Sequence, residues 1–98
     1  MKICLRAALL AASLALALPA AAVALPDPSI CKTTDGFVAV AKDWVISLDQ
    51  AQKSGQISQE DFVNLAVWWQ QMKNWMIETD KVEETCLALL QSRRDFGF

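Results

Sequence analysis

From Gly36 onward the chain sets apolar and polar residues at helical spacing. Phe37, Val40, Ala41, Trp44, Leu48 and Ala51 recur three or four positions apart, while Lys42, Asp49 and Lys53 fall on the opposite side. This is the pattern of an amphipathic helix with one apolar face. It predicts a helix over residues 36–53, started by Thr34 or Asp35 as N-cap. Between residues 59 and 77 the apolar positions are denser. Phe62, Leu65, Trp69, Met72 and Met76 make the main stripe, with Trp68 and Trp75 beside it and Val63, Val67 and Ile77 on other sides. A helix apolar nearly all round is central to its fold or engaged with a partner. A third segment, 81–94, aligns Val82, Cys86, Leu89, Leu90 and Arg93 on one face.

Two architectures fit these segments. Asp80 followed by Glu83 can form a capping box and open a separate third helix. No Gly or Pro divides residues 59–94, however, and Trp68, Trp75, Val82 and Leu89 share a seven-residue spacing. One continuous helix there would be about 54 Å long at 1.5 Å per residue. The expected class is therefore all-α: a small helical bundle, either three helices or a hairpin with one long second helix. Three helices are the favoured form. An extended arm, residues 25–35, precedes the helical domain at 36–98.

The stretch "KSGQISQEDF", residues 53–62, has the cadence of half a calcium loop. With Gly55 at the sixth position of such a loop, the first, third and fifth positions become Gln50, Gln52 and Ser54, and Asp61 takes the twelfth. A calcium loop wants carboxylates at its start and a bidentate Glu at its end. A helix corner accounts for the same residues. Gly55 takes the left-handed conformation that ends the first helix. Ser58 caps the second with Asp61 at N3, and Ile57 and Phe62 form a hydrophobic staple. The stretch is expected to turn a corner and to hold no metal.

The first 24 residues read as a processing segment. Lys2 and Arg6 precede an apolar run from Ala7 to Leu18, Pro19 breaks it, and Ala22-Val23-Ala24 offers a small-x-small cleavage site. The run is too short for the ~20 residues of a spanning helix. A secretory signal cleaved after Ala24, or after Ala22, is expected, with a periplasmic or secreted product and no stable membrane insertion. Removal of Lys2 and Arg6 leaves seven basic residues against eleven acids, a net charge of −4. That balance argues against nucleic acid as a partner, since nucleic acid needs a basic patch. It also argues against electrostatic adhesion to an anionic membrane.

Two cysteines then remain, Cys31 and Cys86, and an even count in an exported chain reads as a disulfide. The bond would staple the bundle. With no histidine, no tyrosine and both thiols committed, the chain lacks the usual general base, thiol nucleophile and metal ligands. No catalytic residue, metal or cofactor is expected. Four tryptophans in so short a chain carry the remaining signal. Trp44 and Trp69, on the main stripes, read as core. Trp68 and Trp75, flanking Asn64 and Gln71, either pack on the third helix or form an exposed contact surface, since Trp is enriched at binding hot spots. Phe96 and Phe98 form a tail that is either docked or frayed.

The expected function is a small exported, non-catalytic interaction protein of the binding, inhibitor or immunity type. It would act through the surface of Asn64, Trp68, Gln71 and Trp75 on another protein or on itself. A periplasmic holdase chaperone opened by acid is the alternative.

Overall fold

The computed structural model describes residues 24–98; apart from Ala24, the expected leader lies outside them. The described residues form three α-helices, α1 (Thr34–Lys53), α2 (Gln59–Thr79) and α3 (Val82–Phe96), preceded by a 3-10 turn at Pro28–Lys32. The all-α, three-helix reading holds, and no strand occurs among the described residues. The long-helix alternative fails at Asp80, which takes left-handed backbone (φ 61°) and ends α2 by donating its amide to Met76 O at 2.8 Å. A short Asp side chain tolerates that conformation better than most residues. Asp80 therefore terminates α2 instead of capping α3. Lys81 holds the N-cap position of α3 and makes no side-chain cap hydrogen bond.

The arm folds into a 3-10 turn where an extended segment was expected. Asp27 caps the 3-10 turn by accepting the Ser29 amide at 2.9 Å, with Pro28 in its first position. That hydrogen bond, with a lesser side-chain contribution from Ser29, holds the Asp27 carboxyl below its ordinary pKa. The turn is therefore favoured with Asp27 ionised, and this small contribution is lost as pH falls through the lowered value. Thr33 then ends the turn and starts α1, its hydroxyl accepting the Gly36 amide at 3.0 Å. The N-cap lies one residue ahead of the positions suggested by sequence. Thr33 is the last extended residue (φ −122°, ψ 153°) before the chain becomes helical.

The turn is pressed against the start of α1 at Gly36. A Cβ built on Gly36 would lie 1.7 Å from the carbonyl oxygen of Ile30. Only glycine permits this approach, and it places Cys31 beside α3, where it is bonded to Cys86. Farther along, Asp43 meets Arg93, and Gln56 donates to the main-chain oxygen of Gly97. Both helices advance together along these pairs, so α1 and α3 are parallel and α2 returns between them in sequence.

Trp44 is the centre of the core. It is 1 % exposed, and its indole N–H donates to Ser92 Oγ at 2.8 Å. Ser92 in turn donates to Leu89 O, so the buried polar pair is satisfied. The rings of Trp68, Trp69 and Phe98 lie 5.7–6.0 Å from Trp44 in tilted or edge arrangements, which favour aromatic pairs. Phe98 is docked: the chain turns at Gly97 (φ 73°), and Arg93 Nε donates to the Phe98 main-chain oxygen at 2.8 Å. Phe96 remains exposed.

The corner at 53–62 is built as expected. Gly55 is left-handed (φ 78°), and the amides of Gly55 and Gln56 bond to Gln52 O and Ala51 O, a Schellman ending. Ser58 Oγ accepts the Asp61 amide at 3.0 Å, and both staple residues, Ile57 and Phe62, join the core. The return bond from the Asp61 carboxylate is not made, so the box is half closed.

One substitution and reduction of the disulfide separate the arm's packing from its covalent tie. Gly36→Ala should lower stability by about 1–3 kcal/mol, the range for overpacking, as read by chemical denaturation. Reducing the 55-residue loop closed by the disulfide should cost about 4 kcal/mol on the chain-entropy account. A Gly36→Ala protein as stable as the parent would contradict the close approach of turn and helix.

Candidate functional site

The second helix was expected to be central to the fold or engaged with a partner, and it is the least buried of the three. Leu65 is its single buried residue; Phe62, Trp68, Trp69, Met72 and Met76 are half-buried. Helix α3 takes the central place with α1. It buries Thr85, Cys86, Leu89, Leu90, Ser92 and Arg93. The physical reason lies in side-chain size. The small Thr85, Cys86 and Ser92 and the disulfide let α3 approach α1 closely, whereas the indoles of α2 hold it away from both neighbours. The periodicity of α2 was right in phase: every residue of the predicted main stripe is buried or half-buried, and Trp68 beside it is half-buried too.

Open seams flank α2 as a result. Between α2 and α3 runs a groove of about 440 Å³, whose apolar walls are Leu65, Trp68, Ala88 and Phe96. Its polar positions are Asn64, Gln91, Ser92 and Asp95. The four surface residues expected from sequence divide here. Asn64 and Trp68 line the groove, so Trp68 both packs toward Trp44 and shows one edge to the cleft. Gln71 and Trp75 lie outside the lining, exposed on the next turns of α2. Trp75 is 37 % exposed, and farther round the helix Val63, Val67 and Ile77 are 46–76 % exposed. The core reading of Trp44 holds fully, and that of Trp69 in part.

The α3 wall escaped the sequence reading. Ala88, Gln91 and Asp95 recur at helical spacing on a face with little apolar character, and Phe96 was left as an undecided tail. Their spacing relative to Leu89 was the available signal, since it places them on the flank next to the buried stripe.

Among the described residues no group of three or more His, Cys, Asp or Glu side chains gathers as a metal site would require. No helix among them is long and apolar enough to cross a membrane. What the surface offers is apolar area with amide and hydroxyl groups at its edge, which suits recognition of another apolar or amphipathic surface. Comparisons of the chain with protein-family models, with curated proteins and with solved structures yield no match.

The two tryptophans on this flank should separate in mutagenesis. Trp68→Ala removes a ring packed on Trp44 and should cost about 2–3 kcal/mol, below the full-core range because the ring is only half-buried. Trp75→Ala should change stability by no more than about 0.5 kcal/mol. Thermal or denaturant unfolding of both variants checks this, and equal losses would place Trp75 in the core.

Proposed function

We propose that this chain is a small, exported, non-catalytic interaction protein whose contact surface is α2 with the adjoining α2–α3 groove. The observation that carries this reading is the exposure of α2. A 21-residue helix with three tryptophans buries one residue fully and leaves Trp75, Val63, Val67 and Ile77 in solvent. Exposed apolar area concentrated on one element, beside a groove with polar edges, suits a protein partner. The partner is a protein with an apolar or amphipathic segment, or a second copy of this chain. Export is supported by the disulfide, which persists in oxidising compartments, and by the leader-like residues 1–24.

A second reading draws on the same helix. Acid would convert a net charge of −4 over residues 25–98 toward +7 as the eleven carboxylates protonate near their reference values of about 4. Helix α2 is held by the fewest buried residues, whereas α1, the 3-10 turn and α3 are tied by the Cys31–Cys86 bond. Repulsion at low pH would free α2 first and uncover Trp44, Trp68 and Trp69. This is the behaviour of an acid-opened holdase.

One set of variants tests the leading reading. Trp75→Ala with Ile77→Ser should abolish recovery of a co-purified partner from the exported fraction while the melting temperature stays within about 2–4 °C of the parent. Unchanged recovery removes α2 from the contact. The holdase reading predicts that Trp fluorescence shifts to longer wavelength, and client aggregation is suppressed, only below about pH 4. A chain that keeps its native fluorescence at pH 2 refutes that reading.

A further inference from the structure

The opposite flank of α2 carries a second feature, independent of the α2–α3 groove. Between α1 and α2 lie two adjoining cavities of about 350 and 440 Å³ that share Val45 and Trp69. Together they form one furrow. It runs from Phe37 and Met76 at one end to Leu48 and Phe62 at the other. From Phe37 to Leu48 the rise along α1 is about 16 Å at 1.5 Å per residue. The walls of the furrow are mainly apolar, with Asp49, Gln50 and Gln70 in the far half.

Two lysines stand at its first half, Lys42 on α1 and Lys73 on α2. In a chain with an excess of acids this pair is conspicuous for its surroundings. The other lysines from residue 32 onward each have a carboxylate within 4.0 Å: Lys32 with Glu83, Lys53 with Asp49 and Lys81 with Glu84. Lys42 and Lys73 have none among the described residues. The neighbours of Lys42 one turn away on α1 are Val38, Ala39, Val45 and Ile46. Those of Lys73 on α2 are Trp69, Gln70, Met76 and Ile77, and its ammonium lies 5.4 Å from the centre of the Trp69 ring. No acid stands three or four positions from either lysine, and Asp43, next to Lys42 in sequence, is engaged by Arg93. Asp49, which borders the far half of the furrow, is already engaged by Lys53 at 2.9 Å.

We infer that this furrow binds a single-chain anionic amphiphile, with its acidic head between Lys42 and Lys73 and its hydrocarbon chain laid along Val45 and Trp69 toward Leu48 and Phe62. Two properties select that class. Val45, Leu48, Phe62, Ala66 and Trp69 line the path of the tail, with Asp49, Gln50 and Gln70 beside them, so most of the wall suits hydrocarbon. The positive charge is confined to one end, so a head and a tail are distinguished. Two ammonium groups over low-dielectric walls attract an anion more strongly than the same charges in open water. The Trp69 face already engages Lys73, and the tail would bury that ring further.

The test is a titration of the folded protein with monomeric dodecanoate, kept below its micelle-forming concentration and followed by NMR. The indole N–H of Trp69 and the methyl of Met76 should shift saturably, with the indoles of Trp68 and Trp75 unchanged. Dodecyltrimethylammonium should bind at least tenfold more weakly. Lys42→Glu combined with Lys73→Glu should weaken dodecanoate at least tenfold while circular dichroism stays that of the parent. Lys42→Ala combined with Lys73→Ala serves the same purpose if the charge reversal disturbs folding. Equal affinity for the cationic amphiphile, or an unchanged affinity in either lysine variant, overturns the proposal. So do shifts spread evenly over all four tryptophans, which mark detergent unfolding. Binding seen only with phosphatidylglycerol vesicles, or a furrow closed by self-association that dilution reverses, also overturns it. None of these outcomes bears on the α2–α3 contact surface.

Discussion

The Cys31–Cys86 bond is the constraint on which the rest of this small fold depends. It joins a 3-10 turn to the middle of α3, and Gly36 allows that turn to lie directly against α1. One short segment thereby holds the two parallel helices in register. Chains of this length bury little apolar surface and commonly need a covalent staple. Beyond the staple, Arg93 repeats the same logic at the other end. Its guanidinium, almost wholly buried, reaches Asp43 on α1 and the Phe98 main chain. Because Asp43 is more than half exposed, the ion pair is screened on that side and its contribution is small. Its effect is to orient Phe98 over Trp44.

Once α1, the turn and α3 are tied, α2 carries a smaller share of the structural work, through Leu65 and the Trp68 and Trp69 rings on Trp44. Its boundaries are well defined, by the Gly55–Ser58 corner and by left-handed Asp80. Its packing is sparse by comparison. A helix in that position can keep apolar residues exposed without unfolding the domain, because the disulfide and the α1–α3 contacts hold the remainder. That division connects the fold to the proposed interaction role. On that proposal, most of the stability resides in one pair of helices and recognition in the third.

The helical pattern was legible wherever one face alternated cleanly with another. The stripes of α1 and α2, the corner at Gly55 and Ser58 and the cysteine pair all follow from spacing and local chemistry. The failures have specific causes. Asp80 was read as a cap for α3, because a non-glycine left-handed residue leaves no strong mark in sequence. The arm was read as extended, because its 3-10 turn depends on a tertiary contact with Gly36. Of the two readings offered for α2, central or engaged with a partner, the first does not hold: apolar density reports how much a helix could bury, while the available space is taken by α3 through small residues such as Thr85 and Ser92. Of the expected surface, Asn64 and Trp68 were found in one groove. Their partners on α3 required knowledge of which helices are neighbours.

Native-state hydrogen exchange tests the division between a tied α1–α3 frame and a loosely held α2 most directly. The account predicts that buried amides of α1 and α3, such as those of Trp44 and Leu89, exchange only through global unfolding. Amides of α2 beyond Leu65 should exchange through smaller openings, at free energies clearly below the global value. Protection in α2 equal to that of α1 and α3 would contradict the account, since the three helices would then open as one unit.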